Sequence, residues 1–396
     1  MPKISQKGKQ MPESPIRKLV PFAEKAKKSG KEVLHLNIGQ PDVLPPINVM
    51  QKINNFDIKS LTYSHSAGIE DYRKKLARYY QKIEPKISYN DILITTGGSE
   101  ALNTIINCIC DPEDEIIIPD PYYANYNGFT NSCNVNIVPI LCDINNNFKL
   151  PNTKQFEEKI SKKTKAILIC NPGNPTGVLY SKKELKSLAM IVKKYDIFLI
   201  ADEVYREFIY DNHSHYSVLK LNSIKDNTII IDSVSKRYSM CGARIGAIIS
   251  KNNQIINTAL KFSQARLSPP TLGQLAAMEA LNTDSDYFEK VIKEYSIRRN
   301  ILVNDIRQIP GVTCPLPKGA FYCIVELPVK NAETFCQWLL ESFHIENTTV
   351  MLAPANGFYN KKNLIYNQVR IAYVLESAKL RIAANIIKKG LQEYSD

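Results

Sequence analysis

Residues 227–246 read "NTIIIDSVSKRYSMCGARIG", an apolar segment that runs directly into small polar residues and several cations. The β-branched part, "NTIII", has the composition of a buried strand. Lys236 and Arg244 follow it closely, although lysine is among the residues least often fully buried. A lysine at the end of a core strand either forms a structural salt bridge with an acid or attacks a carbonyl group. The segment by itself supports both interpretations.

Strands of this kind recur along residues 92–250. The candidates are "ILITT" (92–96), "EIIIPD" (115–120), "NIVPI" (136–140), "KAILIC" (165–170), "IFLIAD" (197–202), "NTIIID" (227–232) and "IGAIIS" (245–250). They lack strict alternation of apolar and polar residues, as is typical of buried, mostly parallel strands. Helical patterns lie between them, and the clearest starts at Ser181, which forms a capping box with Glu184. This alternation predicts an α/β fold with a mostly parallel, seven-stranded sheet and helices on both faces.

The two ends of the chain have a different pattern. The C-terminal part contains helical stretches at 285–309, 331–342 and 376–393, and a strand within "GVTCPLPKGAFYCIVEL" (311–327). No Gly/Ser-rich linker separates this part from the rest. We therefore expect a large domain over residues 50–284, and a smaller α+β domain built from residues 1–49 and 285–396 and packed against it.

The overall composition excludes several functional classes. No run of 18 apolar residues occurs, so no membrane-spanning segment is expected. The formal net charge of +12 permits nucleic-acid binding. However, the densest basic run, residues 1–31, lacks the interleaved aromatic residues that stack on bases. We expect neither a nucleic-acid partner nor a membrane.

The nine cysteines do not form a disulfide framework, because their number is odd and their spacing irregular. Reduced thiols in a cytoplasmic protein are the expectation. No CxxC pair supports a zinc site, and the histidines of "DNHSHYS" (211–217) stand in a polar loop. No metal site is predicted.

Ligands of open α/β sheets bind outside the carboxyl ends of the strands, and here those ends carry polar groups. After the first strand, "GGSEAL" (97–102) turns the chain, and Ser99 is expected to open a helix whose free N–H groups suit phosphate. A simple tight turn is the alternative. The aromatic side chains of "PYYANY" (121–126) either stack on a flat ring or fill the core.

Three further strand ends add an amide, a carboxylate and the lysine. "NPGNPTG" (171–177) is a rigid loop that either aims an asparagine amide at a ligand or only turns the chain. Asp202, in "ADEVY" (201–205), ends an apolar strand and needs a cation from the protein or from a ligand. Taken together, the strand ends fit one flat, phosphorylated, cationic aromatic aldehyde, pyridoxal 5′-phosphate. Lys236 would hold its aldehyde as a Schiff base, and Asp202 would keep its ring nitrogen protonated.

These motifs resemble those of a known family. The segments "NPGNPTG", "ADEVY", "SVSK" with Arg244 eight residues after Lys236, and "NQVRIAY" (367–373) are similar to the signature of class I pyridoxal-phosphate aminotransferases of fold type I. The resemblance covers nearly the whole chain, from "LNIGQPD" (36–42) to Arg370. It implies a homodimer with active sites at the subunit interface. It also implies ping-pong transfer of an amino group between an amino acid and a 2-oxo acid.

The resemblance also implies roles for individual residues. Lys236, Asp202 and Tyr205 are the expected catalytic residues, with Lys236 moving the α-proton of the substrate. The residues expected to contact the cofactor are Gly98, Ser99, Ser233 and Arg244 at the phosphate, Tyr123 on the ring face, Asn174 and Tyr205 at the phenolic oxygen, and Tyr63 at the phosphate of the partner subunit. The residues expected to bind the substrate carboxylate are Arg370, Asn174 and Gly39.

The amino donor is less constrained by the sequence. Dicarboxylate aminotransferases need a second cation for the distal carboxylate, and Ser99 stands where a similar subgroup has a lysine. Arg266, in "SQARLSPP" (263–270), is the replacement candidate, and a surface or interface arginine is the alternative. Overall similarity to the aspartate aminotransferase-like subgroup, including "IGQPD" and the lysine-flanked N-terminal arm, favours an aspartate- or glutamate-type donor with 2-oxoglutarate. Alanine, aromatic, and branched-chain or methionine donors remain alternatives.

Two rival functions use the same fold. A β-eliminating lyase or a cyclopropane-forming synthase would use the same lysine, aspartate and arginine. A non-catalytic regulator would carry a DNA-binding module ahead of the cofactor-binding part. Only 35 residues precede "LNIGQPD", and they contain no helix-turn-helix pattern, which disfavours the regulator.

Overall fold

A computed structural model describes residues 2–361, 363 and 365–395. The strands are β1 (Glu32–His35), β2 (Ile92–Thr95), β3 (Glu115–Asp120), β4 (Asn136–Leu141), β5 (Thr164–Cys170), β6 (Phe198–Asp202), β7 (Thr228–Ser233), β8 (Gly246–Ile249), β9 (Tyr322–Glu326), β10 (Thr348–Met351), β11 (Ala353–Pro354) and β12 (Gln368–Ala372). The helices are α1 (Gln6–Gln10), α2 (Val20–Lys28), α3 (Ile47–Asn54), α4 (Glu70–Gln81), α5 (Gly97–Ile109), α6 (Asn125–Ser132), α7 (Thr153–Glu157), α8 (Lys182–Tyr195), α9 (Val234–Arg237), α10 (Asn253–Arg266), α11 (Thr271–Ala280), α12 (Ser285–Arg307), α13 (Ala332–Glu341) and α14 (Ser377–Glu393).

The central sheet contains seven strands in the order β2-β8-β7-β6-β5-β3-β4. Six strands of this sheet run in one direction, and β8 alone runs opposite to them. Along β7, Ile230 packs into one apolar cluster, whereas Ile229 and Ile231 pack into another. Because both faces of the strand are covered, apolar residues occupy successive positions and strict alternation is lost. The predicted fold class and all seven strand segments are confirmed.

The sequence predicted the start of one helix correctly and that of another helix wrongly. Glu184 N–H donates to Ser181 Oγ at 3.3 Å and Ser181 N–H donates to Glu184 Oε2 at 2.8 Å, so the predicted capping box is present. Helix α5, however, begins at Gly97 and not at Ser99. A Cβ on Gly246 of β8 would lie 2.4 Å from the carbonyl carbon of Gly97. The absence of a side chain lets β8 run directly against the start of α5.

Both ends of the chain contribute to a second, mixed part of the molecule. β1 pairs in parallel with β10, and β12 lies between β11 and β9 in an antiparallel sheet. Apolar residues from α2, β1, α12, α13, β9, β12 and α14 share one core. Tyr205 and Phe208, which follow β6, also join this core, so the two parts of the chain meet at the carboxyl ends of the central strands. The domain boundaries at residues 50 and 285 stay a prediction.

Within the described residues, none of the helices combines the length and the apolar character that crossing a membrane requires. In the same part of the chain, no three histidine, cysteine or acidic side chains converge as metal ligands. His213 is exposed, and His215 Nε2 lies 3.1 Å from the carbonyl oxygen of Asn171.

Candidate active site

A cavity of about 410 Å³ lies where the central strand ends meet the second part of the chain. Its walls contain eleven of the residues singled out from the sequence: Gly39, Gly98, Ser99, Tyr123, Asn174, Asp202, Tyr205, Ser233, Lys236, Arg244 and Arg370. They come from both parts of the chain, and the parallel alignment of β5, β6 and β7 explains why residues far apart in sequence converge.

Lys236 lies on α9, the short helix that directly follows β7. Its Nζ donates to the carbonyl oxygen of Gly39 at 2.8 Å and lies 3.9 Å from Cys241 Sγ. No carboxylate of the described residues forms an ion pair with it, so the structural salt bridge left open by the sequence is not formed. Burial lowers the pKa of the Lys236 amine, and the charges of Arg370 and Arg244 lower it further. A larger neutral fraction makes this amine a better nucleophile and base at neutral pH.

Asp202 is the last residue of β6 and is 5% exposed. Tyr126 OH donates to its Oδ2 at 2.8 Å, and no basic side chain of the described residues pairs with it. Burial raises the pKa of this carboxyl to about 6. A buried carboxylate without a cationic partner is costly, so the position suits a cation that a ligand supplies.

The other end of the cavity is built to bind an anion. The first turn of α5, at Gly98 and Ser99, points free N–H groups and the positive end of the helix dipole at the cavity. A Cβ on Gly97 would lie 2.6 Å from a terminal nitrogen of Arg244, which places this guanidinium at the start of the helix. Ser233 Oγ lies 2.9 Å from Ser235 Oγ. Helix N–H groups, hydroxyls and a guanidinium are the groups that hold phosphate.

Arg370 brings a buried cation to the cavity from β12. Its guanidinium lies 4.6 Å from the ring centroids of both Tyr322 and Phe358. It donates to Asn174 Oδ1 at 3.0 Å and also to the backbone carbonyl of Asn37, while Nε has no partner. Burial lowers the pKa of Arg370, and no carboxylate of the described chain compensates its charge. These features fit a binding site for a carboxylate from outside.

Tyr322 is a wall residue that the sequence analysis missed. Its hydroxyl lies 2.9 Å from the hydroxyl of Tyr205 and 3.4 Å from the carbonyl oxygen of Gly39. A Cβ on Gly39 would lie 1.7 Å from this hydroxyl, so the contact requires glycine. Tyr322 pairs with Ala372 in the β9-β12 ladder, two positions from Arg370. This strand pairing places Tyr322 beside Arg370 at the cavity, but the pairing cannot be predicted from "AFYC" alone.

Tyr123 is half-buried and lines the cavity beside Tyr126, with ring centroids 5.5 Å apart. The amide of Asn125 donates to its hydroxyl at 2.8 Å. Its ring is therefore in place to cover one face of a flat ligand.

Two of the residues singled out lie elsewhere. Tyr63 is 78% exposed and contributes nothing to the cavity of its own chain. Arg266 forms an ion pair with Glu100 at 3.4 Å and donates to the carbonyl of Ser66 at 3.1 Å. Its guanidinium is thus engaged within the chain. The distal-carboxylate role of Arg266 stays a prediction that these contacts do not support.

The fold and the cavity together define a class. An amine of lowered pKa, an unpaired carboxylate and an anion site at a helix N-terminus, all at the carboxyl ends of a mostly parallel sheet, fit an enzyme that binds pyridoxal 5′-phosphate. A family model described as aminotransferase class I and II matches residues 31–387. The chain belongs to this family, and the predicted family and aminotransferase activity are confirmed. Membership implies pyridoxal 5′-phosphate as the cofactor.

Relatives and solved structures resemble the chain over almost its whole length. An aspartate aminotransferase of Pyrococcus horikoshii is 32% identical over 96% of this chain and 95% of that protein. The structure of an aspartate aminotransferase from Thermus thermophilus with maleate has a TM-score of 0.90 and 25% identity, covering 98% of this chain and all of that one. An alanine aminotransferase from Pyrococcus furiosus has the same TM-score and 28% identity, covering 99% of this chain and all of that one. The shape of the fold therefore does not select the amino donor.

Because Asp202 is unpaired, its replacement should change the free energy of unfolding with opposite signs in the protein without cofactor and in the protein with bound cofactor. In the protein without cofactor, the pKa of Asp202 is raised to about 6, so the ionised side chain costs stability above this pH. The cost shrinks as pH falls below about 6 and is lost only near the ordinary carboxyl pKa of about 4. Asp202→Asn should therefore be more stable than the wild type at pH 8, by up to about 3 kcal/mol, with a smaller gap at pH 5. With bound cofactor the order should reverse.

Urea unfolding of both proteins at pH 8 and pH 5, with and without pyridoxal 5′-phosphate, measures these four differences. Equal destabilisation of the variant under all four conditions would show that Asp202 has a purely structural role.

Proposed function

We propose that the chain transfers amino groups between an aspartate- or glutamate-type L-amino acid and a 2-oxo acid such as 2-oxoglutarate. Pyridoxal 5′-phosphate is the proposed cofactor. The observation that carries the proposal is the charge arrangement of the cavity. Buried Asp202 lacks a cation, buried Arg370 lacks an anion, and Lys236 lies in the same cavity with a lowered pKa.

The residues around the cavity divide into groups that match the parts of the cofactor. Ser233, Arg244 and the start of α5 at Gly98 and Ser99 would hold its phosphate, and Asp202 would pair with its ring nitrogen. Tyr123 would cover the ring face, while Asn174 and Tyr205 would donate to the phenolic oxygen. When bound, the cofactor withdraws electrons from the α-carbon of the substrate and carries the amino group between the two substrates.

The substrate is held by Arg370 and deprotonated by Lys236. Arg370 would bind the α-carboxylate through its guanidinium N–H groups, of which Nε is without a partner. Its bond to Asn174 and the flanking rings of Tyr322 and Phe358 fix its orientation before the substrate arrives. The amine of Lys236 would take the proton from the substrate α-carbon and pass it to the cofactor. The lowered pKa of this amine favours the proton transfer.

The proposed donor class rests on the relatives and not on the fold. The Pyrococcus horikoshii relative is named an aspartate aminotransferase, and so is the Thermus thermophilus protein solved with the dicarboxylate maleate. Nine unpaired thiols support a reducing, cytoplasmic setting for the reaction.

Replacement of Lys236 tests the central assignment. Borohydride reduction of the wild type with bound cofactor should fix the cofactor mass on the peptide containing Lys236, as measured by mass spectrometry. Lys236→Ala should carry no such mass and should lose transaminase activity by at least about a thousandfold. Lys236→Arg is the matched control, because it keeps the positive charge but cannot form the bond. Cofactor mass on another lysine of the wild type would refute the assignment.

A panel of donors tests the substrate class. With 2-oxoglutarate as acceptor, kcat/KM for aspartate should exceed that for alanine, phenylalanine and methionine by at least about tenfold.

The same assay without any oxo acid distinguishes a transaminase from a lyase. A transaminase stops after one equivalent of product, whereas a lyase keeps releasing ammonia. Strong preference for a neutral donor without aspartate turnover would exclude the proposed class.

A homodimer with shared active sites is also proposed. Exposed Tyr63 lies near other exposed apolar residues in sequence, including Leu44, Ile47 and Leu61, which would be buried by a second copy. If Tyr63 serves the partner's site, mixed dimers of Tyr63→Ala and Lys236→Ala subunits contain one intact site.

Refolding an equal mixture of the two variants should then restore about a quarter of wild-type activity at limiting cofactor. Neither variant alone should approach this value. A mixture no more active than the Tyr63→Ala subunits it contains would show that Tyr63 does not act across the dimer, and sedimentation at the monomer mass would exclude the dimer itself.

A further inference from the structure

We propose that Arg17 binds the distal carboxylate of a dicarboxylic substrate. The proposal rests on the proposed function and deepens it, since it names the residue that selects the donor. Arg17 was not among the residues identified from the sequence, and it lies on the segment between α1 and α2.

The first observation is that Arg17 lines the same cavity as the residues described above. Of the described lining residues, four carry cationic groups, namely Arg17, Lys236, Arg244 and Arg370, and one, Asp202, carries a carboxylate. The proposed function assigns an anionic or covalent partner to every cation except Arg17. A substrate with a single carboxylate leaves this one unmatched, whereas a dicarboxylate supplies the missing negative charge.

The second observation is that the segment carrying Arg17 is tied to the α-carboxylate site. Asn37 Nδ2 donates to the carbonyl oxygen of Ile16 at 2.9 Å, and the carbonyl of Asn37 accepts from Arg370. The side chain of Ile16 packs against the cluster that contains Phe358, one of the two rings flanking Arg370. One fully buried asparagine therefore holds the backbone beside Arg17 and the guanidinium of Arg370 in a fixed relation.

The third observation is that the guanidinium of Arg17 is available. Its side chain is exposed at the cavity, and no ion pair or side-chain hydrogen bond within the described part of the chain engages it. Arg266, the candidate from the sequence, differs because it is paired with Glu100 and lies outside the cavity lining. A guanidinium binds a carboxylate through two parallel hydrogen bonds, so an available arginine suits a second carboxylate.

Arg17→Ala, Arg17→Lys and the matched control Arg266→Ala test the proposal in the protein loaded with cofactor. Arg17→Ala should lower kcat/KM for aspartate by about 10- to 100-fold and that for alanine by less than about threefold. Arg17→Lys should recover part of the loss for aspartate, because the charge is kept and the paired geometry is not. Arg266→Ala should leave the aspartate-to-alanine ratio unchanged.

Inhibitor binding gives a second readout that does not depend on turnover. Calorimetric titration with maleate and with crotonate, a four-carbon unsaturated acid that carries a single carboxylate, compares the binding of two carboxylates with the binding of one. Arg17→Ala should weaken maleate binding about 10-fold or more and leave crotonate binding unchanged.

The outcomes separate failure of this proposal from failure of the proposed function. If the wild type favours aspartate and Arg17→Ala keeps the same aspartate-to-alanine ratio and maleate affinity, the role of Arg17 is refuted and the proposed function stands. If only Arg266→Ala changes the ratio, the distal carboxylate belongs to Arg266. If the wild type neither turns over aspartate nor binds maleate more tightly than crotonate, both proposals fail.

Discussion

The binding properties of this protein depend on two buried charges that lack counter-ions. The Asp202 carboxylate stands at the end of a central strand and the Arg370 guanidinium on the smaller antiparallel sheet, and neither has an oppositely charged partner in the described chain. Burying an unpaired charge costs several kcal/mol, and each site recovers this cost only when a ligand brings the opposite charge. Because the two charges belong to different parts of the chain, a cofactor at Asp202 and a substrate at Arg370 together join those parts.

Nearby charged residues that form ion pairs within the chain stabilise the fold around the cavity. Arg237 follows Lys236 directly, yet it binds Asp232 at 2.6 Å and lies 3.3 Å from Glu207. These contacts fix α9 against the end of β7, which carries Ser233, and against the segment that follows β6 and Asp202. Adjacent residues of one short helix thus have opposite roles, because one basic side chain is compensated within the protein and the other is directed into the cavity.

Features that depend on neighbouring residues could be predicted from the sequence. Features that depend on contacts between distant segments could not. The capping box at Ser181 and the seven strands needed only neighbouring residues and the general rule for parallel sheets. Tyr322 could not be recognised because its position follows from the register of β9 against β12. The segment that carries Arg17 is held at the cavity by a hydrogen bond from the side-chain amide of Asn37 to the carbonyl oxygen of Ile16, which nothing in "ESPIRKL" encodes. The engagement of Arg266 depends on Glu100, 166 residues away.

The contact between Gly39 and Tyr322 restricts how this site can change over evolutionary time. No side chain fits at position 39 while the tyrosine is present, because a Cβ there would lie 1.7 Å from its hydroxyl oxygen. Replacement of the tyrosine by a smaller residue opens that space without a clash, so a viable mutational path must alter position 322 first. The two positions therefore form an ordered pair, in which one substitution is permissive and the other depends on it.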